Sequence, residues 1–93
     1  MVGAGPAGLM AAEALATAGR RVVVCDAMPS PARKFLMAGR GGLNLTHATP
    51  MPRFLNAYGA AAGHLRPFVE GFTPDDLRAW CHALGQETFV GSS

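Results

Sequence analysis

Charged residues are scarce in this chain, at 15% of 93 positions, with 8 Lys and Arg against 6 Asp and Glu for a net charge of +2. No run of like charge occurs, which excludes a polyelectrolyte interaction tail. The basic residues are scattered instead of striped, which speaks against a nucleic-acid module; the one local excess is Arg33, Lys34 and Arg40. The two cysteines, Cys25 and Cys81, stand far apart and outside any CxxC or Cys/His ligand spacing. A free, reduced pair is expected, with Cys25 buried as a small apolar side chain, and with it a cytoplasmic location. Long apolar runs are missing too. The stretch from Gly3 to Gly19 is broken by Glu13 and is too short for a bilayer. Small residues at Ala14-Leu15-Ala16 imitate a secretion signal, but no basic segment precedes them. His47, His64 and His82 lack metal-ligand spacing and read as surface or loop residues, so no metal is expected. No Ser/His/Asp or Cys/His nucleophilic arrangement stands out, as is normal where a cofactor carries the chemistry.

Apolar residues, by contrast, are plentiful at 49%, alongside 12 glycines and 7 prolines. That apolar share excludes an ordinary disordered tail, and Gly and Pro fall short of a low-complexity linker. At roughly 150 residues per domain the chain is about 0.6 of one. So little charge is unusual for a free-standing surface and looks like buried secondary structure belonging to a larger protein.

Along the chain the apolar period changes. Met1-Val2 is a short apolar stub running into Gly3-Ala4-Gly5-Pro6-Ala7-Gly8. Leu9 to Ala18 is dense in Ala, Leu and Met and reads as a helix starting near Pro6, with Gly19 placed to stop it. Val22-Val23-Val24-Cys25 reads as a buried parallel strand, closed by Asp26. Ala27 to Pro31 is a loop. Arg33 to Thr46 is a structured loop with a short helical start, and Thr49 to Pro52 is another break. Phe54 to Gly71 suggests a helix weakened by Gly59, Gly63 and Pro67. Thr73-Pro74-Asp75-Asp76 is a well-formed helix start, with Thr73 as N-cap and Pro74 at the first helical position. Leu77, Trp80, Cys81 and Leu84 then share one face. Gly85 ends that helix, and Glu87 to Val90 begins a strand. Trp80 and Phe89 are expected to pack in a core, and Met10, Met28, Met37 and Met51 to fill gaps in it.

Gly3-x-Gly5-x-x-Gly8 has dinucleotide-binding spacing. Gly3 permits the turn out of the strand, Gly5 lets backbone approach a pyrophosphate, and Gly8 lets helix and strand pack closely. The helix start then aims unpaired N–H groups and its positive dipole end at the phosphates. Asp26, 23 residues after Gly3, can accept both ribose hydroxyls of an adenosine. An acid there, in place of a small residue with an Arg, argues against a 2′-phosphate at this site. The motif does not separate FAD from NAD.

The discriminating segment is Ala32-Arg33-Lys34-Phe35-Leu36-Met37-Ala38-Gly39-Arg40-Gly41-Gly42-Leu43-Asn44-Leu45-Thr46-His47. With Gly3 to Ala12 it closely resembles the start of a bacterial flavoprotein family, the HI0933-like NAD(P)/FAD-dependent oxidoreductases of aminoacetone-oxidase type. Leu77 to Cys81 and Leu84 to Ser93 are also similar to that group. The resemblance implies FAD as cofactor in a two-dinucleotide-binding fold, with NAD(P)H a candidate electron donor and the small-molecule substrate unidentified. It implies that Gly3, Gly5 and Gly8, with Pro6 and Ala7 between them, hold the pyrophosphate, and that Asp26, followed by Ala27, holds the adenosine ribose. Arg33 and Lys34 would lie beside the adenosine or phosphates. Gly41, Gly42, Asn44 and Thr46 would approach the pyrophosphate, ribityl chain or flavin edge. Ala32 departs from the family, where Gly is expected; a positive φ there would cost Ala on the order of 1 kcal/mol.

The sequence therefore suggests an α/β fold: a Rossmann-type FAD-binding βαβ unit of a two-dinucleotide-binding flavoprotein, incomplete at both ends. Residues 1–26 form the nucleotide unit, 27–52 a flavin-proximal loop, and 53–93 a helical segment leading into a strand. The function expected is that of the N-terminal FAD-binding part of a flavin-dependent oxidoreductase, with no nucleic-acid or membrane partner. The 93 residues alone are expected to be inactive and to hold FAD only weakly, which a submicromolar affinity by calorimetry would refute. Two alternatives stay open: a non-catalytic truncated remnant of such a flavoprotein, and an NAD-dependent dehydrogenase segment with the same βαβ start.

Overall fold

The computed structural model describes residues 1–37 and 42–91. The chain divides into two compact units, Met1–Leu43 and Asn44–Ser93. Arg40 and Gly41, and the closing Ser92 and Ser93, lie outside the described residues.

The first unit is built around one helix, α1 (Pro6–Thr17). Pro6 opens it, where a missing N–H costs nothing. It closes in a Schellman turn: Gly19 adopts a left-handed φ of 81°, its N–H donates to the Ala16 carbonyl at 3.0 Å, and the Arg20 N–H donates to Leu15 at 3.0 Å. The segments flanking α1 meet in a parallel bridge between Val2 and Cys25. The Cys25 N–H donates to Met1 O at 2.8 Å, the Gly3 N–H to Cys25 O at 2.7 Å, and the terminal amine to Val23 O at 3.0 Å. These bonds alternate as in a parallel ladder. A second, four-residue helix, α2 (Arg33–Leu36), follows the loop at 27–31.

Two expectations for this unit are corrected. Met1-Val2 and Val22 to Cys25 do not form strands, and among the described residues pairing reaches only that bridge. The expected burial is also missing: Val2 is 91% exposed, Val23 74%, and Cys25 is exposed. A parallel strand is covered only when helices lie on both faces and strands on both edges. Met28 and Met37 are likewise exposed and fill no gap.

The second unit is helical. The helix expected over Phe54 to Gly71 is three pieces: α3 (Met51–Asn56), a 3-10 turn at Gly59–Ala61, and α4 (Ala62–Gly71). Gly59 causes the division, since its φ of 56° is left-handed. Pro67 is carried inside α4 at the loss of one helical bond. The break expected over Thr49 to Pro52 is instead the start of α3, because a proline fits the first turn of a helix. The helix read at Thr73 is α5 (Pro74–Ala83), with Thr73 as N-cap. Gly85 ends it in a second Schellman turn, its N–H donating to His82 O at 2.9 Å and that of Gln86 to Cys81 O at 3.0 Å.

Leu55 and Cys81 are the buried apolar residues described in this unit, and α3 lies against α4. Phe54 and Tyr58 meet edge to face at 5.9 Å. No strand forms over Glu87 to Val90, and Phe89 is 82% exposed instead of packed. Among the described residues no helix is long and apolar enough to cross a membrane.

Candidate functional site

The glycine motif folds as its spacing suggests. Gly3 turns out of the bridge with φ 98°, a conformation that only glycine adopts without strain. Gly8 sits against it, and a Cβ built on Gly8 would collide with the Gly3 carbonyl oxygen. That contact is the close approach of helix to extended chain that the third glycine permits. Gly5 is the N-cap of α1, and among the described residues a Cβ on it would meet nothing within 4 Å.

The start of α1 is left open. Its first internal bond runs from the Leu9 N–H to Gly5 O at 2.9 Å, so the Ala7 and Gly8 amides have no i−4 partner in the helix. Gly5 provides no side-chain cap, and the first turn holds no acid. Among the described residues the space at Gly5 is open and no side chain caps the first turn; with the positive dipole end, this suits a polyanion such as a pyrophosphate.

Asp26 reaches this loop. Its Oδ2 accepts from the Ala4 N–H at 3.0 Å and its Oδ1 from the Met28 N–H at 3.1 Å. The Met28 amide and then that of Ala4 hold the carboxyl below the ordinary aspartate value against the opposing effect of desolvation, with lesser help from the Ala27 amide and the Arg33 guanidinium. The Ala4 carbonyl in turn accepts from the Ala32 N–H at 2.7 Å. Ala32 has φ 55° and ψ 32°, and is the one non-glycine residue of positive φ among those described. The strain anticipated for an alanine at this position is therefore present.

The structure thus brings together Gly3, Gly5, Pro6, Ala7, Gly8, Asp26 and Ala27, with Arg33 and Lys34 exposed on α2. Gly42 belongs to the same unit and has φ 116°. Gly41 lies outside the described residues. Asn44 and Thr46 belong to the second unit. There Thr46 helps line an open hollow of about 380 Å³ with His47, Phe54, Tyr58, Phe72 and Leu77.

The residue that sequence reasoning missed is Ala4. It is buried at 4% exposure and bonded through both its N–H and its C=O. Its part is played by backbone, so its side-chain identity carried no signal beyond being small.

In comparisons with known proteins, the family model of the HI0933-like protein Rossmann domain matches residues 1–93. No curated protein and no solved structure matches the chain. A Rossmann domain is a dinucleotide-binding architecture, in keeping with the open helix start at Gly5.

Proposed function

Since the chain belongs to the HI0933-like Rossmann-domain family, we propose that it is the FAD-binding portion of a flavin-dependent oxidoreductase, built on a βαβ nucleotide unit. The pyrophosphate would rest on Gly3 to Gly8 at the start of α1, and the adenosine ribose on Asp26 and the turn at Ala27. Arg33 and Lys34 would supply positive charge beside them. Gly41, Gly42, Asn44 and Thr46 complete the proposed set on the flavin side. Bound there, FAD would supply two-electron chemistry, for which NAD(P)H is the proposed donor; the protein's share is binding and orientation.

The observation that carries this reading is the uncapped start of α1. Four features coincide: a glycine N-cap, open space in front of it, no acid in the first turn, and a carboxylate tied to the same loop. α3 and α4 also begin without a side-chain cap; what sets α1 apart is the glycine loop that leads into it and the carboxylate tied to that loop.

The test is a titration of the isotopically labelled chain with FAD, followed by backbone amide shifts, with NAD and ADP in parallel. Saturable shifts at Gly5, Ala7 and Gly8 with FAD support the proposal. Shifts at those amides with NAD and none with FAD would move the assignment to an NAD-dependent dehydrogenase. Silence with all three would reject nucleotide binding at this loop.

A further inference from the structure

We propose that Asp26 is also a positioning residue: in the protein without nucleotide, its carboxylate anchors the glycine loop through the Ala4 amide and holds the cradle open in its binding geometry. The cradle itself rests on the reading given under Proposed function; the anchor does not.

An ionised carboxylate offers about four acceptor positions, two on each oxygen. One on Oδ2 is taken by the Ala4 N–H and one on Oδ1 by the Met28 N–H. Acceptor positions remain for ribose hydroxyls beyond these two bonds, so the two tasks do not compete. The Ala4 bond joins residues 22 apart and ties the chain leaving α1 back to the chain entering it. Ala4 lies between Gly3 and Gly5, in a stretch whose glycines would otherwise give the backbone wide freedom. Its peptide groups are fixed from both sides, by Asp26 at the N–H and by the Ala32 N–H at the C=O. Arg33, on α2, is the charged side chain that acts on the carboxylate.

Asparagine separates the two tasks. Ribose hydroxyls both donate and accept, so an amide can still pair with them. Two backbone N–H groups only donate, and the Asn amide nitrogen must then oppose one of them.

The experiment uses the labelled 93-residue chain without nucleotide, titrated from about pH 6 to about pH 2.5, across the carboxylate range. The Ala4 and Met28 amide shifts are expected to move together, with one midpoint below the ordinary Asp value of about 3.9, while the Ala16 amide at the far end of α1 stays in place. In Asp26→Asn that titration disappears, and the Ala4 amide exchanges with solvent about tenfold faster, as expected for a lost charge-assisted bond. The wild-type titration stands whether or not the variant folds. An Ala4 amide that is invariant with pH, a uniform movement that includes Ala16, or wild-type exchange in Asp26→Asn would each overturn the anchor. An anchored Ala4 in a chain that ignores FAD would reject the cofactor reading alone. FAD binding with an invariant Ala4 would reject the anchor alone.

Discussion

Helices α1 and α5 begin on nearly the same backbone and end in the same kind of turn, yet their first turns are opposite in chemistry. Gly5 has φ −83° and ψ −175°, Thr73 φ −78° and ψ 167°, and each is followed by proline. At α5 the Thr73 hydroxyl accepts from the Asp76 N–H at 3.1 Å, and the Asp76 carboxylate accepts from the Thr73 N–H at 2.9 Å. Asp75 adds a second acid to that turn. The capping box thus satisfies two of the donors at the helix start, and the acids oppose its dipole. At α1 neither device is present. The extended conformation at Gly5 would accept a capping side chain, so the lack of one is a matter of sequence and not of backbone. A helix that caps itself is finished as a structural element, whereas the uncapped start of α1, beside a carboxylate-anchored glycine loop, is where the proposed nucleotide would complete it.

The largest expected effect comes from closing the space that α1 needs. Gly8→Ala drives a methyl into the Gly3 carbonyl and should cost about 2–3 kcal/mol, as overpacking of a tight contact does, read as a lower urea midpoint. Gly5→Ala meets no atom of the described residues within 4 Å, so it should leave the midpoint nearly unchanged and weaken FAD binding. Equal destabilisation by both variants would contradict the roles given to these glycines.

Exchanging cap chemistry sharpens the contrast. Gly5→Asp gives α1 the cap it lacks and should stabilise the helix by about 0.3–1 kcal/mol. The same carboxylate repels a pyrophosphate, and FAD affinity should fall roughly tenfold or more. Thr73→Ala removes one side of the capping box at α5 and should cost about 1 kcal/mol with no change in FAD affinity. Both are read by denaturation and by the amide titration with FAD.

A strained alanine supports the first unit. Ala32→Gly relieves the φ of 55° and should stabilise the chain by about 1 kcal/mol. An unchanged or lower midpoint would show that the left-handed residue carries no strain.

Acid provides the gentlest comparison. The Thr73 amide, then its hydroxyl, hold Asp76 below its ordinary value; the Met28 and Ala4 amides do the same for Asp26. A carboxyl depressed by folding stabilises the native state fully above its unfolded value of about 3.9. That contribution is lost as pH falls through the lower, folded value. Thermal midpoints should therefore decline below about pH 4, and Asp76→Asn should flatten part of the slope. A decline beginning well above that range would implicate other groups.

What the sequence determined by itself is local. The Thr73 start of α5, the Gly19 and Gly85 stops and the turns at the glycine loop depend on residues a few positions apart, and their physics is complete within one helical turn. The motif spacing from Gly3 to Asp26 and the segment from Ala32 to His47 were also sufficient to identify the family, because the resemblance rests on residue types at fixed spacing and not on packing. Where helices split was harder to see: Pro50 and Pro52 punctuate a loop and open a helix equally well, and only the turn that follows decides. The remainder was decided by tertiary structure. Val22 to Cys25 has strand propensity, but a strand needs partners on its edges, and here Cys25 has one bridge. The burial expected of Val23, Cys25 and Phe89 depends on what covers them, which composition does not encode. The bond from Asp26 to Ala4 joins a side chain to a backbone amide 22 residues away, and a backbone donor has no letter in the sequence. Only the folded chain places it.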